Sequence, residues 1–318
     1  MDPKRAARSL RTVFLDLLLA GAVLVVFALF HHVLPRDAGN AGELLPTPVP
    51  TAASPTASPS PTDAEVSPDP TASPSPVPTV LTETSFTSPS LSIAITTFQK
   101  DGATGYVADL RLADPLALRT FLASGAYKPG ASAMPTALAA SAGALLAVNG
   151  DYYGIRNQGV VLRDGVLYRT TPYRDVLVMY RDGSMRTFPN AAFDVAALKS
   201  SGAWQAWSFG PMLLRDGEAM DAFDSNVPGP NPRTAIGYYE PGHYCLVVVD
   251  GRQPGYSDGM TLAQLSRFFR DLGCVVAYNF DGGQSSEMVF DGRVVNRPYR
   301  GGRRVSDIVY VARPEAAA

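Results

Sequence analysis

The chain has 318 residues, 46% of them apolar and 18% charged, and a formal net charge of −2. That near-neutral balance, with no basic run interleaved with aromatics after the first third, argues against a nucleic-acid partner. Its two cysteines are too few for a thiolate metal centre, and its three histidines leave only His243 outside the apolar N-terminal run; one histidine cannot supply paired zinc ligands.

Lys4, Arg5, Arg8 and Arg11 precede an apolar stretch over 13–34, about the length that spans a bilayer as a helix. The basic cluster places the N-terminus inside, and Asp16 sits near the cytoplasmic end, where a charge reaches the interface cheaply. A cleaved signal peptide is the alternative, with Gly39-Asn40-Ala41 as the cleavage site. The run is longer than an ordinary signal core of about 7–15 residues, so an uncleaved anchor is expected. Pro, Ser, Thr and Ala dominate 36–89, as in Pro55-Thr56-Ala57-Ser58-Pro59-Ser60-Pro61. Such a segment cannot bury enough apolar surface to fold and serves as a disordered, semi-rigid spacer. The expected organisation is a cytoplasmic tip and transmembrane anchor (1–35), a Pro/Ser/Thr-rich linker (36–89) and a single domain (90–315) held outside the membrane.

Within that domain, 91–99 and 106–112 read as strands by alternation and β-branched content. Segments 115–123 and 135–142 each open at a proline suited to a first helical turn. A short buried strand covers 145–149. Hairpins follow over 160–168, 176–188, 212–220 and 288–296, turning at Asp164-Gly165, Asp182-Gly183, Asp216-Gly217 and Asp291-Gly292, the strongest short hairpin signal. Further strands are expected over 233–239 and 308–312.

The apolar run 244–249 reads as a strand buried on both faces. Thr261 with Gln264 forms a capping box, Leu262, Leu265, Phe269 and Leu272 share one helix face, and Gly273 stops the helix. A second strand over 274–279 completes a parallel strand–helix–strand unit. Its two polar ends, Asp250-Gly251-Arg252 and Asn279-Phe280-Asp281-Gly282-Gly283-Gln284-Ser285-Ser286, then leave the same sheet edge, where ligands bind in open sheets. The expected class is α+β, a mixed β-sheet domain with several hairpins and a βαβ crossover. Cys245 and Cys274 lie one on each of these strands, as small core residues or as a pair in an oxidising compartment.

A Ser-His-Asp triad would need His243, whose place before a buried strand suits an edge residue, so the chemistry falls to carboxylates, arginines, amides and hydroxyls. Asp151, Asp250, Asp281 and Glu287 are candidate acids, bases or nucleophiles, and Arg233 with Arg252 suits a clamp on phosphate. An aspartate cluster with backbone carbonyls could equally hold Ca²⁺ or Mg²⁺.

The ordered motifs narrow this. Ala147-Val148-Asn149-Gly150-Asp151-Tyr152-Tyr153, Ser208-Phe209-Gly210-Pro211-Met212, Pro232-Arg233-Thr234-Ala235-Ile236-Gly237, Asp250-Gly251-Arg252, Asn279-Phe280-Asp281-Gly282-Gly283-Gln284-Ser285-Ser286 and Val294-Val295-Asn296-Arg297-Pro298 stand in order over about 91–312. In this series the chain resembles the phosphodiester glycosidase family. Two positions depart from the pattern: Phe280, where a smaller aliphatic residue is frequent, and Glu287, where a small polar one is usual.

The resemblance implies hydrolysis of a sugar-1-phosphodiester between the anomeric carbon and the phosphate oxygen. For that reaction Asp151 or Asp281 is expected as nucleophile or base, with Asp250 a further catalytic candidate. Arg233 and Arg252 would hold the phosphodiester, helped by backbone N–H groups of Gly282 and Gly283. Asn149, Thr234, Asn279, Ser285 and Ser286 would position sugar hydroxyls or phosphate oxygens. The expected partners are a phosphosugar or glycan substrate at a cell surface and the membrane itself. The competing class is a non-catalytic carbohydrate or phosphosugar-binding module in exopolysaccharide or cell-wall assembly.

Overall fold

A computed structural model describes residues 78–171 and 173–314, together with the backbone of the short strand β1 (Glu43–Leu44). The expected membrane span and most of the linker lie outside the described residues. Among the described residues no helix is long and apolar enough to cross a membrane.

Strands β2 (Val80–Leu81) and β3 (Ser85–Thr87) lead into the long hairpin of β4 (Leu91–Lys100) and β5 (Ala103–Leu112). Its turn, Asp101-Gly102, has φ of 53° and 75°. Both values are positive, the type I′ geometry whose twist matches paired strands. Over 115–123 the sequence predicts a helix, yet only Pro115–Ala117 makes one 3₁₀ turn, capped by Asp114. The chain then extends into β6 (Arg119–Leu122), because Thr120 and Leu122 alternate inward and the strand finds a partner. Next come α1 (Pro135–Ser141) and β7 (Ala144–Asn149).

The β8 (Gly159–Arg163)/β9 (Val166–Thr171) and β10 (Val176–Tyr180)/β11 (Met185–Phe188) hairpins follow. Then come α2 (Val195–Ser200), β12 (Ala203–Trp207), and the β13 (Met212–Arg215)/β14 (Glu218–Ala219) hairpin. β15 (Arg233–Glu240), β16 (His243–Val249), α3 (Leu262–Asp271) and β17 (Val276–Asn279) form the central part. The β18 (Met288–Phe290)/β19 (Arg293–Val294) hairpin and β20 (Asp307–Ala312) end it. The four hairpins expected from Asp-Gly pairs all form.

These strands make three sheets, ordered β14-β13-β17-β15-β16-β5-β4-β3-β2, β1-β9-β8-β12-β10-β11 and β19-β18-β7-β20-β6. The strand–helix–strand unit forms, with one difference: β15 lies between β16 and β17, antiparallel to both. The two strands therefore run in the same direction without touching, and every pairing among the described strands is antiparallel. Their unbroken apolar sequence reports burial on both faces, not the direction of the neighbour. In β16, Tyr244, Leu246 and Val248 enter the core facing the other sheets, while Cys245, Val247 and Val249 face α3.

Helix α3 opens with the expected capping box: Gln264 N–H donates to Thr261 Oγ1 (3.1 Å) and Thr261 N–H to Gln264 Oε1 (2.8 Å). It buries Leu262, Leu265, Phe268 and Phe269 against the nine-stranded sheet, about 1.5–3 kcal/mol for each. Cys245 and Cys274 are buried free thiols with Sγ atoms 3.7 Å apart.

Candidate active site

Register sets the site. Arg233 opens β15 opposite Val249, the last residue of β16, and Ala235 lies opposite Asn279, the last of β17. One sheet edge thus gathers Arg233, the Asp250-Gly251-Arg252 loop and the Asp281-Gly282-Gly283 loop. A cavity of about 440 Å³ opens there, bounded also by Arg156, Tyr173, Arg174, Phe209 and Arg303 from other loops. Five arginines line it against one carboxylate, that of Asp281.

Asp281 is held from one side. Its Oδ2 accepts Ser285 Oγ–H (2.5 Å) and Arg303 Nη2–H (2.7 Å), and Arg303 Nε donates to the same Ser285 Oγ (2.5 Å). Oδ1 has no hydrogen-bond partner among the described residues. Burial raises the carboxyl pKa, and the Arg303 guanidinium, the Ser285 hydroxyl and the more distant Arg156 charge oppose that rise. A buried carboxylate with one fixed and one open oxygen is suited to attack carbon or to take a proton from water.

Arg233 is 4% exposed and its hydrogen bonds go only to neutral carbonyls: Nε to Met260 (2.9 Å), Nη2 to Val227 (2.9 Å) and Gly229 (2.6 Å). Arg252 Nε and Nη2 donate to Asn231 Oδ1 (2.9 and 2.6 Å). Neither has a carboxylate partner among the described residues. Burial and the like charge of Arg252 push Arg233 down to about 10. Two neighbouring guanidiniums, positioned by amide oxygens and without a carboxylate partner, suit an anion. Gly282 fits this edge because a Cβ there would meet Pro232 O at 2.7 Å. The N–H of Gly283 donates to that same carbonyl (2.9 Å) and is not free for a ligand.

Of the other expected residues Asn279 reaches the cavity, and Asn149, Thr234, Ser286, Asp151 and Asp250 lie behind it. Asn149 bridges loops: Nδ2 donates to Asp281 O (2.6 Å), and Oδ1 accepts Thr234 Oγ1–H (2.7 Å) and Glu287 N–H (3.3 Å). Asn279 lines the cavity, with Nδ2 donating to Gly210 O (3.0 Å) and Oδ1 unpartnered. Ser286 is buried with its hydroxyl unpartnered. Asp151 accepts Tyr153 N–H (3.0 Å) and pairs with buried Arg163 (2.9 Å), which also holds Asp307 (3.0 Å). Asp250 accepts Tyr256 O–H (2.9 Å), Arg297 N–H (2.9 Å) and Asn296 Nδ2–H (2.8 Å). Both carboxylates are engaged with internal donors, and neither lines the cavity with Asp281.

Glu287 is also buried away from the cavity, with Oε1 unpartnered and its pKa raised to about 7 by burial. Phe280 points into the core, edge-on to Trp207 (5.5 Å) and Tyr278 (5.9 Å). Among the described residues no three His, Cys, Asp or Glu side chains converge as ligands for Ca²⁺ or Mg²⁺. Sequence reasoning missed Arg303, Arg156 and Arg174. Only Arg303 carried a signal, the Gly301-Gly302 pair before it, matching Gly282-Gly283 after Asp281.

Residues 142–312 match the sequence model of a family described as phosphodiester glycosidase. Over 168 residues the chain is 32% identical to the SPbeta prophage-derived uncharacterized protein YomE of Bacillus subtilis, covering 49% of this chain and 26% of that protein. It thus spans about a quarter of that relative's length. The zebrafish N-acetylglucosamine-1-phosphodiester alpha-N-acetylglucosaminidase catalytic domain, auto-inhibited by its pro-peptide, has the same fold, with a TM-score of 0.57 at 23% identity over 71% of this chain and 85% of that one. A hypothetical protein from Synechocystis aligns with a TM-score of 0.51 at 14% identity over 70% of this chain and 62% of that one. Strands β2 to β6 precede the family match yet build the same sheets. On the residues 142–312, the chain belongs to the phosphodiester glycosidase family.

Proposed function

We propose that this chain hydrolyses sugar-1-phosphodiesters in a cell-surface or wall glycan, anchored by 13–34 with its domain outside the membrane. The observation that carries the reading is the juxtaposition of an uncompensated guanidinium pair, Arg233 and Arg252, with the open oxygen of Asp281 in one cavity. The arginines receive the phosphate. Asp281 Oδ1 acts at the anomeric carbon, as nucleophile or as base to the attacking water. The bond from that carbon to the phosphate oxygen breaks, its electron pair leaves with a phosphomonoester, and water supplies hydroxyl to the sugar. Phosphate is a good leaving group, so anion stabilisation matters more than protonation.

One feature favours the binding-module alternative: a single carboxylate lines the cavity, where glycosidases ordinarily use two. Incubation with a panel of sugar-1-phosphodiesters, beginning with N-acetylglucosamine 1-phosphodiesters named in the zebrafish relative, separates the two. Release of free sugar and phosphomonoester, lost in Arg233→Ala, supports hydrolysis. Binding without product supports the module.

A further inference from the structure

The cavity carries more positive charge than one phosphodiester needs. Beyond Arg233 and Arg252 it holds a second guanidinium pair on loops that border the six-stranded sheet. Arg156 and Arg174 both lie over the ring of Tyr173, at 4.8 and 5.2 Å from its centroid, and Arg156 also lies 4.7 Å from that of Phe209. Arg174 is 9% exposed. Neither guanidinium donates a hydrogen bond or forms an ion pair among the described residues. The neighbouring carboxylate of Asp175 is turned to the Met212 N–H (3.1 Å) instead.

Arg163 shows what this chain does with a buried guanidinium of structural purpose. It gives it two carboxylates, Asp151 and Asp307, and the carbonyls of Leu162 and Ala206. Arg156 and Arg174 have ring faces and, without direct contact, the charges of Asp281 and Asp175. Ring faces attract a cation but do not neutralise it, so both guanidiniums keep their donors and charge for an anion in the cavity. Sugar hydroxyls are neutral and do not supply one. The pair is also distinct from the first: Arg252 is the charge that acts on Arg233, whereas Arg156 acts on Asp281.

We propose that Arg156 and Arg174 form a second anion subsite, and that the preferred substrate is a sugar-1-phosphodiester whose aglycone carries a further phosphate. Tyr173 and Phe209 hold the two guanidiniums in place at the cavity wall. This inference rests on the reading of the cavity as a phosphodiester site.

The test compares two diesters of N-acetylglucosamine 1-phosphate, the methyl diester and the 2-phosphoethyl diester, with the full chain. The wild type should favour the 2-phosphoethyl diester about tenfold or more in kcat/KM, mainly through KM, as one charge-assisted contact would give. Arg174→Met and, separately, Arg156→Met should bring that ratio close to one. An unchanged ratio, or a wild-type ratio already near one, overturns the inference. Equal losses on both diesters also overturn it, assigning the pair to the scissile phosphate. If neither diester is turned over, the reading as a hydrolase has failed, and calorimetric binding of the same two diesters decides the subsite. Tighter binding of the 2-phosphoethyl diester, abolished by Arg174→Met, supports it; equal affinities overturn it.

Discussion

Arg303 Nη2 lies 2.7 Å from Asp281 Oδ2 across 22 residues of sequence, and Ser285 Oγ closes the triangle. This contact fixes one carboxylate oxygen and leaves the other open to the cavity. It also opposes the rise that burial imposes on the Asp281 pKa. Removing Arg303 must therefore raise that pKa further and protonate Asp281 at higher pH. Arg303→Gln should move the acid limb of the kcat/KM profile upward and lower kcat/KM near neutrality by about tenfold or more. A pH profile with an unmoved acid limb would show that Arg303 does not tune Asp281.

Asp151 belongs to a buried ion triad with Arg163 and Asp307. Neutralising Asp151 removes one of the two carboxylates that hold the buried Arg163 guanidinium and leaves Asp307 as its acidic partner. Asp151→Asn should cost about 1.5–3 kcal/mol of stability, the loss of one charge-assisted contact, seen as a lower urea midpoint. Asp281→Asn should change the midpoint far less. Equal midpoints for the two variants would remove the structural role assigned to Asp151.

Glu287 is buried with its pKa raised to about 7 from 4.5. Between these values the unfolded chain loses its proton first, so stability falls as pH rises through that window and stays lowered above it. Below the unfolded value both states are protonated and the penalty vanishes. Glu287→Gln should therefore stabilise the domain by about 1–3 kcal/mol above neutrality and by little at about pH 4. Thermal melts at the two pH values measure the difference. A gain independent of pH would contradict it.

Gly237 lies against both the Cys245 and Cys274 thiols in the layer beneath α3. A Cβ there would meet Cys274 Sγ at 2.6 Å, Cys245 Sγ at 2.7 Å and Phe269 at 2.8 Å. Gly237→Ala should cost about 1–3 kcal/mol through overpacking. Gly237→Ala combined with Cys274→Ala should recover part of that loss in the same urea titration.

Local signals were legible and pairing was not. Asp-Gly turns placed the hairpins, and the Thr261–Gln264 capping box placed α3, because each is decided within a few residues. The continuous apolar run of β16 announced burial on both faces, but the insertion of β15 between β16 and β17 depends on contacts no short window contains. Segment 115–123 followed its tertiary partner β20 instead of its proline. The same division holds at the site. Asp281-Gly282-Gly283, Arg233 and Arg252 were readable because their motifs lie at strand ends that the register brings together. Which aspartates face the cavity was not, because Arg163 and Tyr256, the partners that occupy Asp151 and Asp250, carry no motif. Arg156 and Arg174 reach the cavity from loops of unremarkable sequence, and Arg303 follows a Gly-Gly pair that is a weak signal by itself.

The central claim is that Asp281 and the guanidinium pair form one hydrolytic site. Its most direct measurement is product release from a sugar-1-phosphodiester by the wild type and by Asp281→Asn, followed by chromatography of the sugar and the phosphomonoester. The wild type should release both stoichiometrically, and a folded Asp281→Asn that still binds the diester should release none above background. Undiminished release by Asp281→Asn would contradict it.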